Sequence, residues 1–182
     1  MAARIAAMGE ATTPLPTSKA FADDERSVLV GYLDYHRAVL ARKAEGITEA
    51  DARMAGCPPS GMTLLGLIRH MAAVERAWFR DVLMGEDIAP LYYGQGHPTG
   101  DIDGDWHPSL NDTLGEAFAS YWREIAIANA NIAATPLDGA AANAGDRPTN
   151  LRRILVHMIE EYARHCGHAD LLREPIDGIT GD

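Results

Sequence analysis

Apolar residues along this chain recur at helical spacing, and no stretch alternates apolar and polar residues for longer than a few positions. Four long helices are predicted. The first covers residues 23–44, with Leu29, Leu33, His36 and Leu40 on one side. A short helix in "TEADARMAG" follows. "CPPSG" then supplies a stop and a start, with Ser60 or Thr63 as N-cap of a second long helix over residues 62–84 that ends at Gly85. The third long helix covers residues 111–134. The fourth starts from Thr149 or Asn150 as N-cap, and Pro175 is expected to stop it near Glu174.

Between the second and third helices lies "GEDIAPLYYGQGHPTGDIDGDWHPSL", with five Gly, three Pro and no stable period. A loop this long in a compact domain is usually functional or disordered. Tyr92, Tyr93 and Trp106 argue against plain disorder. The connector "TPLDGAAANAGDRP" separates the third and fourth helices. Four long helices with two long connections predict an all-α fold, a four-helix bundle of crossover type. Residues 1–22 read as a flexible N-terminal arm, and residues 23–178 as the bundle.

Length and charge narrow the function. The chain has 182 residues, 47% of them hydrophobic, enough for one domain with a core. It carries 16 Lys and Arg against 26 Asp and Glu, a net charge of −10. That balance argues against nucleic acid and against an anionic membrane surface as partners. No apolar run approaches the roughly 20 residues of a membrane-spanning helix, and the start does not read as a signal peptide. Cys57 and Cys166 form no disulfide framework or zinc knuckle. A cytoplasmic protein is expected.

The chemistry concentrates in "HMIEEYARHCGHADLLRE", residues 157–174. At about 100° per residue, the apolar stripe of this helix runs through Leu151, Ile154, Met158, Tyr162, Ala169 and Leu172. His165 falls within the stripe and Glu161 on its flank, whereas Arg152, Arg153, Glu160 and Arg164 fall on the other side. A carboxylate turned toward a core is costly unless it is paired, protonated or bound to a cation. Glu161 and His165 are four residues apart and so emerge one turn apart on one side. By itself the pair reads equally well as a buried Glu–His hydrogen bond or as half of a metal site.

The missing ligand must come from another helix. In "LLGLIRHMAAVERAWF", His70 lies at the edge of a stripe made by Leu67, Met71, Val74 and Trp78, with Arg69, Arg76 and Arg80 on the far side. Glu75, also within the stripe, is a candidate to support a ligand. Two His and one Glu leave open positions on the ion, as in catalytic zinc sites, and also suit non-haem iron. His36 is read as a core histidine or a cavity-lining group. His157 and His168 flank the Glu–His pair as ligand-supporting or substrate-facing groups. His97 and His107 lie in the long loop and are expected to be solvated. Cys166 reads as a small buried residue. No phosphate-binding loop or dinucleotide fingerprint is present.

The stretches "LDYHRAVLARKAEGIT", "PPSGMTLLGLIRHMAAVERAWF" and "HMIEEYARHCGHADLLREPIDG" resemble the DinB/YfiT-like metal-binding bundle superfamily, and within it the mini-circle protein group. The resemblance implies a four-helix bundle with a divalent metal on three side chains of the second and fourth long helices. Many relatives use three His. The thiol-dependent maleylpyruvate isomerase branch is closer, with His, Glu and His, which fall here on His70, Glu161 and His165.

The resemblance further implies an enzyme that activates a low-molecular-weight thiol of the mycothiol or bacillithiol type for S-transfer or isomerisation. Zn²⁺ is the first choice of metal, with Ni²⁺ or Fe²⁺ as alternatives, and the thiol is the cosubstrate. His157, His168 and His36 would then orient ligands or handle protons. A homodimer is compatible with the family. The rival expectation is a non-catalytic metal- or ligand-binding bundle with a stress-related role.

Overall fold

The computed structural model of the chain describes residues 13–15, 24–92 and 100–181. Most of the expected N-terminal arm, together with Tyr93 and His97, lies outside the described residues. The elements are α1 (Glu25–Ala44), α2 (Glu49–Ala52), α3 (Leu64–Arg76) running into a π-helical turn (Ala77–Val82), α4 (Leu114–Ala134) and α5 (Leu151–Asp177). Among the described residues there is no strand, only an isolated antiparallel bridge between Ala140 and Asn150. The chain has the all-α, helical-bundle class that its periodicity predicts. No helix among the described residues is long and apolar enough to cross a membrane.

The helix starts follow from side-chain caps, which supply acceptors to the unpaired first-turn amides. Asp24 accepts from the amides of Arg26 and Ser27, and Thr48 from Asp51. Thr63, not Ser60, caps α3 by accepting from the Gly66 amide. Asn150 caps α5 through the Arg153 amide. Thr113 and Glu116 form a reciprocal capping box on α4. This cap starts α4 at Leu114, three residues later than its periodicity suggests.

Contacts divide the chain into two compact units, residues 1–67 with 159–182 and residues 68–158; α3 and α5 each contribute to both. In the first unit, Leu33, Leu40 and Ala41 of α1 are fully buried, as are Tyr162 and Ala169 of α5. The buried Arg173 guanidinium donates to the carbonyls of Lys43 and Glu45 at 2.9 and 2.8 Å. It thereby satisfies acceptors that the end of α1 leaves open. Lys43 in turn pairs with Asp170 at 2.9 Å. The Cys166 thiol donates to the His36 carbonyl at 3.6 Å, and Cys166 is the small buried residue its position suggests.

Pro175 does not stop α5, which continues to Asp177. A proline there removes only the one bond its own amide would make. Arg173 spans the turn with an ion pair to Asp177 at 2.7 Å. Gly178, at φ 80°, ends the helix by donating to the Glu174 carbonyl at 2.8 Å.

In the second unit, α3 widens into the π turn, where the Leu83 amide reaches back five residues to the Trp78 carbonyl at 3.0 Å. The Asn131 side chain of α4 donates to the Phe79 carbonyl at 3.0 Å. Gly85, at φ 68°, closes the segment, as the sequence predicts. The connector is ordered against both neighbours: the amides of Ala142 and Asn143 donate to the carbonyls of Leu83 and Val82, while Gly139 and Leu137 accept from the first amides of α5.

Candidate metal centre

His70 lies on α3 beside Arg69, and both side chains are set by the long loop. Arg69, on the far side of α3 from the apolar stripe, is nevertheless buried. Its guanidinium donates to the carbonyls of Gly104 at 2.7 Å and Asp105 at 3.1 Å and pairs with Asp112 at 3.0 Å. It also lies 4.0 Å over the Tyr92 ring. Arg76 and Arg80 likewise converge on the buried carboxylate of Glu124, at 3.1 and 3.2 Å. The polar side of α3 is polar because it meets a loop carrying carbonyls and acids and, on α4, a carboxylate.

This clamp delivers two residues onto His70. The Asp105 carboxylate sits 2.7 Å from Nδ1 of His70, and the Trp106 indole stacks on the imidazole at 4.2 Å between ring centroids. A carboxylate can only accept here, so this contact favours the tautomer that carries its proton on Nδ1. Glu75, the carboxylate first considered as a support, is fully buried in α3, and the carboxylate against Nδ1 of His70 is that of Asp105.

On α5, Oε2 of Glu161 lies 3.5 Å from Nε2 of His165, one turn further along. Arg164 holds the other oxygen of Glu161 at 3.0 Å and Glu160 at 2.5 Å. Nδ1 of His165 lies 3.2 Å from Nδ1 of His168. His70 and His165 thus each have Nδ1 beside a side-chain neighbour, Asp105 and His168 respectively.

One donor atom from each of His70, Glu161 and His165 lies within 4.8 Å of the other two. Ligand atoms on a common Zn²⁺ stand about 2.0–2.2 Å from it. Donors already confined to this distance need only small side-chain rotations to converge. Two imidazole nitrogens and a carboxylate oxygen fit a divalent transition metal. The side chains of His70, Glu161 and His165 keep 19%, 16% and 7% of their exposure.

The remaining described histidines are not in this set. His168 touches it through His165. His157 packs its ring on Trp78 at 4.4 Å. His36 is half-buried and makes an edge contact with Tyr35 at 5.6 Å. His107 is exposed, as expected, and paired with Asp101 at 2.7 Å. Asp105, Trp106 and Arg69 are the residues that sequence periodicity does not reveal. The only available signal was the aromatic residue within an otherwise Gly- and Asp-rich loop.

An all-helical chain with two His and one Glu gathered within 4.8 Å fits the DinB-like class of helical bundles. Residues 28–178 match the model of the mycothiol-S-transferase family, and the chain belongs to that family. No individual curated protein matches it.

Proposed function

We propose that the chain is a divalent-metal-dependent enzyme that joins the sulfur of a low-molecular-weight thiol, mycothiol first, to a small electrophile. The observation that carries this reading is the gathering of His70, Glu161 and His165 within 4.8 Å, in a chain of the mycothiol-S-transferase family. Nε2 of His70, Nε2 of His165 and a carboxylate oxygen of Glu161 would hold the ion, Zn²⁺ before Ni²⁺ or Fe²⁺. Such an ion favours thiolate over thiol at neutral pH and so makes the sulfur nucleophilic.

In the net reaction a carbon–sulfur bond forms. With a haloarene the carbon–halogen bond breaks and halide and the S–H proton are released, whereas with an epoxide or enone the ring C–O bond or the C=C π bond opens and the product takes up the proton. His168 is assigned to holding Nδ1 of His165, and His157 and His36 to orienting substrate or moving the proton. The family supports a small-molecule thiol as cosubstrate. A cytoplasmic location follows from that cosubstrate, which must stay reduced. Exposed Leu171 and Ile179, near the end of α5, support a homodimer.

The test is loss of free thiol from mycothiol mixed with haloarene, epoxide and enone electrophiles, using Zn²⁺-loaded protein, with bacillithiol in parallel. Thiol consumption that disappears in His165→Ala supports the reading. A loaded protein that consumes neither thiol with any of these electrophiles contradicts it and favours the non-catalytic binding bundle.

A further inference from the structure

We infer that Asp105 is a positioning residue for His70: its carboxylate fixes the imidazole as the Nδ1–H tautomer, and Trp106 fixes the plane of the ring. The inference rests on the proposed metal-binding role of His70 and adds a loop residue to it. Oδ2 of Asp105 lies 2.7 Å from Nδ1 of His70, and Oδ1 accepts the Trp106 amide at 3.1 Å. Both carboxylate oxygens are thus engaged, and the side chain retains only 6% of its exposure. A carboxylate this buried is costly unless bonded, so its place against the ring is well determined.

The loop is held there by its backbone. Arg69, the residue before His70, binds the carbonyls of Gly104 and Asp105. Gly104 leaves no room for a side chain: a Cβ would stand 2.2 Å from the Tyr92 carbonyl oxygen. The same short segment therefore carries the loop anchor, the acceptor for Nδ1 and the ring that stacks on the imidazole. A ligating His oriented through its second nitrogen loses about 10- to 100-fold in metal affinity when that partner is removed.

The test uses the full chain with three variants, Asp105→Ala, Asp105→Asn and Gly104→Ala, each checked for retained helix by circular dichroism. Zn²⁺ affinity is measured by competition with a chromophoric chelator. The ring nitrogens of His70 are read by ¹⁵N NMR in the metal-free protein at alkaline pH. Wild type should show the Nδ1–H tautomer. Asp105→Ala should mix the tautomers and lose about 10- to 100-fold in affinity. Asp105→Asn, which still offers an acceptor oxygen, should keep the tautomer and lose less. Gly104→Ala should resemble Asp105→Ala although both partners are intact.

An Nε2–H tautomer in wild type, or wild-type affinity and ring shifts in Asp105→Ala and Asp105→Asn, overturns the inference. If wild type binds no Zn²⁺, the metal reading fails, and the tautomer measurement still decides the role of Asp105.

Discussion

Oε2 of Glu161 and Nε2 of His165 stand 3.5 Å apart, one turn from each other on α5, with the other Glu161 oxygen held by Arg164. The spacing is slack for a hydrogen bond between them and suits two donors sharing a third atom. Glu161→Ala should therefore reduce Zn²⁺ affinity by more than the roughly 100-fold upper range for losing a ligand's supporting partner. Its helix content should stay near wild type, because the side chain is half-buried on a long, well-packed helix. Calorimetric titration with Zn²⁺ and far-UV circular dichroism check the two halves of this prediction.

Glu124 is the structural counterpart, a carboxylate that is fully buried and shared by Arg76 and Arg80. Removing one member of a buried ion pair leaves uncompensated charge and typically costs about 3–5 kcal/mol. Glu124→Ala should destabilise the protein by about 3 kcal/mol in urea unfolding. Because neither arginine belongs to the proposed site, residual folded protein should bind Zn²⁺ as wild type does.

The His107–Asp101 pair predicts a local pH signature. The hydrogen bond to Asp101, with its negative charge, raises the His107 pKa above 6.5, and the same bond lowers the Asp101 pKa below 3.8. The pair's contribution is complete between those ordinary values. It fades as pH rises through the raised His107 pKa, and as pH falls through the lowered Asp101 pKa. Proton NMR should show His107 titrating above 6.5. Asp101→Asn should bring its midpoint down; an unchanged midpoint would remove the pair from the account.

The capping box of α4 is a third, independent handle. Thr113→Ala loses the acceptor for the Glu116 amide and should cost about 1 kcal/mol. Chemical denaturation should show this as a shifted midpoint with unchanged slope.

What the sequence made legible follows the range of each physical signal. Helical period and caps are local, so the four long helices, Thr63, Asn150 and Gly85 could be read directly. Glu161 and His165 were legible for the same reason, as a polar pair at helical spacing within an apolar stripe. His70 was singled out as the third member from its place at the edge of its own stripe, and the family resemblance fell on the same three residues.

Asp105 was hidden because its partner is 35 residues away and its loop has no period. The partners of Arg69, Arg76 and Arg80 were hidden too, because a wheel shows which side of a helix is polar, not what later segment covers it. The π turn has no local signature, since its switched bond is completed by Asn131 from α4. Pro175 marked a helix end three residues too early, at Glu174 rather than Asp177, because Arg173, Asp177 and Gly178 support the last turn.

The most direct test of the central claim is the metal content of purified, untagged protein, wild type beside His165→Ala. The account predicts about one divalent ion per wild-type chain, lost in the variant, as expected for a three-ligand site. No bound metal in the wild type, even after incubation with Zn²⁺, Ni²⁺ and Fe²⁺, would contradict it and leave His70, Glu161 and His165 as a polar network.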